Sequence, residues 1–152
     1  MAKKPAKPKK PQKPPPPLCL GLILADSLHR DPGSGKWTIL GTFSTLFSQE
    51  FPCQHPLMAV FGVLSDGRGT VRLEIRLVDV DEEHGSLASA AGEVQFEDPR
   101  AVVEFAIPLP GVMFPEPGEY RVQCLADGEL LMERRLMVVR PDMLELGGNA
   151  DA

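Results

Sequence analysis

Residues 117–128 read PGEYRVQCLADG, and this stretch decides the fold class of the chain. A Pro-Gly turn leads into an alternating segment that opens on a tyrosine, and the closing Asp-Gly pair is typical of a tight hairpin. In two-sheet β-sandwiches, a tyrosine just after a corner commonly anchors that corner through its hydroxyl group. We therefore predict structural roles for Gly118, Tyr120, Asp127 and Gly128.

The same alternation recurs along the chain. Val71, Leu73, Ile75 and Leu77 alternate with charged residues, which predicts a strand with one face in a core and the other in water. Residues 57–64 are apolar throughout, as in a strand that is covered on both faces. The pattern predicts eight short strands, near 18–25, 36–43, 57–64, 70–80, 91–97, 101–109, 119–126 and 129–139.

Helical periodicity is nearly absent. Residues 86–92 (SLASAAG) are compatible with a brief helical turn, but they are too few for an independent helix. Without long helical crossovers, a parallel α/β sheet is excluded. We predict an all-β, two-sheet antiparallel sandwich of Ig-like or transthyretin-like architecture, with about seven or eight strands.

Charge and proline divide the chain into three parts. Residues 1–17 are rich in proline and lysine and contain no acid, so we predict a disordered, extended arm. The β-sandwich domain is predicted at 18–140 and a flexible tail at 141–152. Beyond the arm the chain has 10 basic and 21 acidic side chains, a net charge of −11 that should repel nucleic acid and anionic lipid. The arm lysines are Lys3, Lys4, Lys7, Lys9, Lys10 and Lys13.

Cysteine usage and hydrophobicity indicate a cytoplasmic protein. Cys19, Cys53 and Cys124 are an odd number without a C-x-x-C pair, which favours unpaired, mostly buried thiols in a reducing compartment. The longest apolar runs have eight residues, against the roughly 20 that a membrane span needs. Four prolines precede the first run and argue against a secretory signal.

The order of short motifs resembles a family of bacterial proteins filed as a domain of unknown function, over about residues 20–139. The motifs are Ala25-Asp26, GKWTILGTF at 35–43, Phe51-Pro52, LVDVD at 77–81, and the Pro117–Tyr120 corner with its Asp127-Gly128 hairpin. The resemblance implies a β-sandwich in a bacterium and supplies no activity. The Lys/Pro arm is not a feature that we associate with this family.

Two segments carry possible metal ligands. Cys53 and His55 are two residues apart, but zinc needs three or four ligands, and the other histidines, His29 and His84, form no second pair. Asp79, Asp81 and Glu83 resemble the start of a calcium loop. The positions that should hold glycine and glutamate are occupied by His84 and Ala90. We predict no metal and no cofactor.

No catalytic arrangement is evident. Ser34 is flanked by glycines but precedes a strand and lacks the G-x-S-x-G spacing of a nucleophile elbow. The paired carboxylates at 81–82 and 97–98 lie in turns, where nothing apolar would raise a pKa. We predict that the protein is not an enzyme.

The sequence therefore predicts a non-catalytic interaction or accessory module whose partner is another protein, with no small-molecule substrate and no membrane. Exposed edge strands offer such a module a route to a partner. Two alternatives stay open: weak binding of nucleic acid or another polyanion through the arm lysines, and a calcium-dependent or hydrolytic domain around residues 79–83.

Overall fold

The computed structural model describes residues 14–81 and 85–142. These residues form an all-β structure of nine strands with almost no helix. The strands are β1 (Leu18–Arg30), β2 (Trp37–Thr42), β3 (Thr45–Phe47), β4 (Cys53–Ser65), β5 (Gly69–Asp79), β6 (Ser86–Phe96), β7 (Val103–Phe114), β8 (Gly118–Ala126) and β9 (Glu129–Val139).

The strands form two sheets. The four-stranded sheet has the order β2-β1-β4-β7 and is antiparallel throughout. The five-stranded sheet has the order β3-β9-β8-β5-β6, and its β3–β9 pair is parallel. The expectation of wholly antiparallel sheets is therefore wrong at β3. Two residues separate β2 from β3, and within them the chain passes from the four-stranded sheet to the five-stranded sheet.

One hydrophobic core lies between the sheets because period-two burial holds on both of them. Val71, Leu73, Ile75 and Leu77 of β5 are buried as predicted. The same core cluster takes residues from the four-stranded sheet, among them Leu22, Leu24, Met58, Val60, Phe105 and Phe114. Both strand sets point their apolar faces at each other, as two layers around one core require.

The strand count and one local assignment differ from prediction. Nine strands are present in the described residues instead of eight, because β3 has only three residues and is too short to show a periodicity. Residues 86–92 belong to β6 and form no helical turn. Ala88 and Ala90 pack against the core opposite Leu77 and Ile75, so this segment is held as the edge of a sheet.

The apolar strand β4 is covered on both faces over part of its length. The prediction holds from Met58 to Phe61, which are all buried, and fails at Leu57, which is 43% exposed. Within β4, a Cβ atom on Gly62 would lie 2.1 Å from Cζ of Phe105 on β7. Only glycine therefore lets the Phe105 ring pack across β4.

The hairpin of β1 and β2 provides the second cover for β4. Phe61 pairs with Ile23, whereas Trp37 pairs with Arg30, seven residues farther along β1. A straight strand would separate these two positions by about 23 Å. The Trp37 and Phe61 ring centroids are nevertheless 6.0 Å apart. The hairpin therefore curves back over the outer face of the four-stranded sheet, which explains why Phe61 and Ala59 are buried outside the main core.

Candidate interaction edge

Four strands form the edges of the two sheets, and three of them are short or interrupted. β2 has six residues and β3 has three. β7 is longer, but Pro108 and Pro110 have no N–H group to donate, and Gly111 adopts a φ of 63°. Prolines, short strands and irregular backbone are common ways to keep an edge from pairing with another chain.

The fourth edge strand, β6, is long and contains no proline, and its one register shift lies at its start, between Ser86 and Ala88. It runs for eleven residues, and its sequence, SLASAAGEVQF, contains no proline, lysine or arginine. Among the described residues it pairs with β5 alone, from Gly69↔Phe96 to Val78↔Ser86. Every second residue of such a strand directs its N–H and C=O groups away from the sheet. From Ala88 to Phe96, β6 therefore presents a regular row of hydrogen-bonding groups that an extended segment can pair with.

Packing on the inner face holds β6 in place. Ala88, Ala90 and Val94 are partly buried against the core, and Phe96 is 3% exposed. On the outward face, the exposed Ser89 and Ala91 are small, whereas Glu93 and Gln95 carry longer polar side chains. An added strand would therefore meet a template that the core holds in place and that carries small outward side chains at Ser89 and Ala91.

The charged side chains beside β6 are either acidic or lie next to a side chain of opposite charge. Glu93 lies opposite Arg72 of β5, and Ser89 lies opposite Arg76. Arg76 is already engaged, because its Nε and Nη2 atoms donate to Glu74 at 2.9 and 3.1 Å. This hydrogen bond is the main reason why the pKa of Glu74 is lowered. With a charge of −11 beyond residue 17, the body of the protein has a strongly negative net charge.

The predicted corner residues lie together at the start of β8. Tyr120 is 2% exposed, and its hydroxyl donates a hydrogen bond of 2.5 Å to the Glu116 carbonyl. Its ring meets Phe114 edge-on, with centroids 5.0 Å apart. Gly118 begins β8 and pairs with Val138. The corner between β7 and β8 is therefore fixed to the core by one side chain.

The Asp127-Gly128 turn has a second function besides reversing the chain. Both residues have positive φ, 48° and 84°, as a two-residue turn of this kind requires. The Asp127 N–H donates to the Arg72 carbonyl at 2.8 Å, and Asp127 Oδ1 accepts the Arg72 N–H at 2.9 Å. Asp127 thus joins the hairpin to β5.

Asp127 and Glu129 could supply further ligands to the calcium-loop alternative at residues 79–83 only if they lay beside Asp79. Asp127 binds Arg72, and Asp79 lies seven residues from Arg72 along β5, a span of about 23 Å. Asp127 and Glu129 therefore lie at the opposite end of β5 from Asp79 and cannot complete a site there. Glu83 and His84 lie outside the described residues, as do the six arm lysines.

The other candidate ligands are also dispersed. Cys53 and His55 lie on one face of β4, opposite Phe114 and Val112. His55 Nε2 is 3.9 Å from Asp26 Oδ1, too far for a hydrogen bond. Within residues 14–81 and 85–142, no three His, Cys, Asp or Glu side chains cluster closely enough to hold a metal ion.

Two further segments named in the sequence form local structure. The Ser34 hydroxyl donates to Asp31 Oδ2 at 2.7 Å, a contact that lowers the pKa of Asp31 and closes the β1–β2 turn. His29 is exposed near the end of β1, opposite Thr38.

Pro14–Pro17, the last residues of the predicted arm, lie beside β5 and the β8–β9 hairpin, and Pro17 is buried.

The outer faces of the two sheets differ in polarity. On β8 and β9, Glu119, Arg121, Glu133 and Arg135 form a set of ion pairs. On the other sheet, an apolar concavity of about 300 Å³ lies beside the curved hairpin. It is lined by Ser27, Leu28, Trp37, Leu57, Ala59, Ala106 and Pro108. The concavity is shallow, and its lining carries no titratable group.

The sequence predicts the second half of β6 as a strand at 91–97, but the small residues at 86–92 were compatible with a helical turn, so the full length of this edge was missed. The signal was present in the spacing of Ala88, Ala90, Gly92 and Val94, which alternate with polar or exposed residues. Alanine and glycine carry little of the hydrophobicity on which period analysis depends.

Comparisons with known proteins give one family match by sequence and indicate no activity. Residues 20–139 match a family of unknown function (DUF6941). No curated protein matches the chain. The described part of the chain contains no helix with the length and hydrophobicity that a membrane span requires.

Two solved structures are similar to part of the chain. Both are described as glycosyl hydrolase family 2 members from Bacteroides cellulosilyticus. One is 22% identical with a TM-score of 0.38, over 53% of this chain and 12% of that one. The other is 24% identical with a TM-score of 0.39, over 52% and 11%. The chain thus spans about one eighth of their length, and a likeness this partial carries no argument about activity.

Proposed function

The chain belongs to a family of unknown function, DUF6941, so membership assigns it no activity, and from the geometry we propose a non-catalytic interaction module. In this proposal, β6 binds an extended segment of a partner protein as an additional strand. The observation that carries it is the eleven-residue, proline-free edge of β6, in a molecule whose other edges are short or interrupted. Strand addition takes its affinity from main-chain hydrogen bonds, so it needs no pocket and no reactive group.

The chemistry of the partner follows from the charge of the body. A strand that pairs with β6 must lack proline at the positions that donate toward the edge. It approaches a body with a net charge of −11, and Glu93 stands on the exposed face of β6. We therefore assign to the partner segment an extended, proline-poor and net basic sequence. The Lys/Pro arm of a second copy does not qualify, since prolines recur throughout residues 5–17.

The finer description of the fold and location belongs to the same proposal. Two sheets around one core support a β-sandwich of Ig-like or transthyretin-like architecture. Three unpaired cysteines support a reducing compartment, the bacterial cytoplasm. Binding of polyanions by the arm lysines stays an alternative, with its own test below.

Peptide selection from a random displayed library, against the full chain, tests the binding mode. We expect enriched peptides to be extended, proline-poor and basic, and to protect the amides of residues 86–96 from hydrogen exchange. Ala91→Lys places a long charged side chain on the exposed face of β6 and should weaken these peptides by about tenfold or more. Thr38→Lys adds the same charge to the exposed face of edge strand β2 and should leave affinity unchanged.

Three results would overturn the proposal. One is the absence of any enriched peptide, and another is selected peptides that are equally weakened by both lysine variants. The third is a dimer of the free chain, seen by light scattering and dissociated by Ala91→Lys, because it would assign the edge to a second copy of the chain.

A further inference from the structure

Three sulfur atoms from the two sheets meet at one side of the core. Cys19 Sγ of β1 is 3.8 Å from Met132 Sδ of β9. Met132 is in turn directly opposite Cys124 in the β8–β9 ladder. Side chains at opposed positions lie on the same face of a sheet, with Cβ atoms about 4.5–5.5 Å apart. Cys19 therefore reaches across the core toward a position beside the Cys124 thiol.

The two cysteines differ in access to solvent. Cys124 is fully buried, whereas Cys19 is only partly buried. The ladder is irregular at both cysteines, between Cys19 and Gly21 on β1 and between Cys124 and Leu125 on β8. A small oxidant can thus reach Cys19 first, and the backbone is not in regular register at either position.

The electrostatics assign different roles to the two thiols. A hydrogen bond from the Cys124 thiol lowers the pKa of Cys19 to about 7, against the opposing effect of burial. The pKa of Cys124 is raised by the same hydrogen bond and by burial. A thiolate is the reactive form of cysteine. Cys19 therefore has the character of an attacking thiol, and Cys124 that of a protonated partner.

We propose that Cys19 and Cys124 form a peroxide-reactive dithiol that closes into a disulfide between the two sheets. The Cys19 thiolate attacks hydrogen peroxide, the O–O bond breaks, and Cys19 becomes a sulfenic acid while the departing hydroxide takes a proton to form water. The sulfur of Cys124 then attacks the Cys19 sulfur. The S–O bond breaks, and the leaving hydroxide takes the Cys124 proton as a second water. Two thiols and one peroxide give one disulfide and two waters.

The disulfide would join β1 to β8, two strands that are not neighbours in either sheet. It would close a loop of more than a hundred residues, and long loops gain the most from a cross-link in the chain-entropy picture. Oxidation should therefore raise the Tm of the protein, and reduction should reverse the change. After oxidation, the predicted unpaired state of the thiols would hold for Cys53 alone.

Oxidation of the full chain with hydrogen peroxide tests the proposal. We expect the three free thiols to fall to one, and mass spectrometry of an unreduced digest to show a peptide linking Cys19 with Cys124. Cys53→Ser should give the same link with no free thiol left, and its Tm should rise on oxidation as that of the wild type does. In Cys124→Ala, peroxide should leave a sulfenic acid on Cys19 that dimedone traps, and it should form more slowly than in the wild type because the Cys124 hydrogen bond that lowers the pKa of Cys19 is lost.

Several outcomes would overturn the proposal of a disulfide between Cys19 and Cys124. A link through Cys53, a link only between two molecules, or sulfoxide at Met132 without any linked peptide would each refute the assignment. If Cys124→Ala does not fold, Cys19→Ser gives the equivalent test, because it must abolish the intramolecular link and the oxidative rise in Tm. The proposal is contradicted if Cys19→Ser still forms the intramolecular link or still shows the oxidative rise in Tm.

Discussion

Tyr120→Phe removes one hydroxyl group from the corner between β7 and β8 and leaves the rest of the side chain in place. The aromatic ring keeps its edge-on contact with Phe114, so no cavity forms. What is lost is the hydrogen bond to the Glu116 carbonyl. A bond of this kind contributes about 0.5–1.5 kcal/mol to the free energy of unfolding. We therefore expect a loss of about 1 kcal/mol, equivalent to a fall in Tm of roughly 3–5 °C for a domain of this size.

Urea denaturation measures this loss directly. The chain has a single tryptophan, Trp37, whose fluorescence reports the hairpin that covers β4. The midpoint should shift to lower urea with an unchanged slope, since the same surface is exposed on unfolding. A circular dichroism signal from the sheets should give the same midpoint if unfolding is two-state.

The pH dependence gives a second signature. Burial raises the pKa of Tyr120 above its ordinary value. Above about pH 10 the unfolded chain therefore releases the phenolic proton while the folded chain keeps it, and stability falls as pH rises further. Tyr120→Phe has no such proton, so the difference in free energy of unfolding between the wild type and the variant should become smaller above that pH.

The matched control is Glu116→Ala. It removes an exposed side chain but keeps the carbonyl that accepts the hydrogen bond, so it should change the free energy of unfolding by less than about 0.5 kcal/mol. If Glu116→Ala is as destabilising as Tyr120→Phe, or if Tyr120→Phe is neutral, the hydroxyl does not anchor the corner and the reasoning is refuted.

Three further predictions follow from the packing and the charges. Gly62→Ala should lower the free energy of unfolding, measured by urea denaturation, by about 1–3 kcal/mol because the new methyl group overlaps Phe105. Gly92→Ala has open space around it and should change this free energy by less than about 0.5 kcal/mol, and equal effects of the two variants would contradict the packing argument. Millimolar calcium should leave Tm unchanged, since Asp127 is far from Asp79; a rise with calcium and none with magnesium would restore the calcium alternative. If the arm binds polyanions, replacing its six lysines with glutamine should abolish retention on a heparin column, and unchanged retention would remove that alternative.

The sequence predicts the fold where side chains carry a strong hydrophobic contrast. β5 was predicted from Val71, Leu73, Ile75 and Leu77 because each apolar residue alternates with a charged or polar one, and all four are buried. β9 was likewise placed at 129–139. The contrast fails in the first half of β6, residues 86–92, where serine, alanine and glycine form both faces, whereas the second half was predicted as a strand at 91–97. The strand conformation of the first half is fixed by pairing with β5, which is a tertiary interaction and leaves no local periodicity.

The candidate sites were less predictable, since they depend on which strands become neighbours. Nothing in the spacing of Cys19, Cys124 and Met132 indicates that they meet, because the meeting requires β1 to lie over β9. The free edge of β6 depends equally on strand order, which a single sequence does not specify. In contrast, the Asp127-Gly128 turn is a local feature and could be located from two residues.

The prolines of β7 also limit how many chains the molecule can join. A sheet that grows into a fibre must accept a strand on one side and offer a strand on another, so every copy needs two competent borders. Among the described residues only one border here has the length and regularity to take part. If β6 accepts a partner strand as proposed, addition should therefore stop after a single event, and the protein should not polymerise through its own sheets.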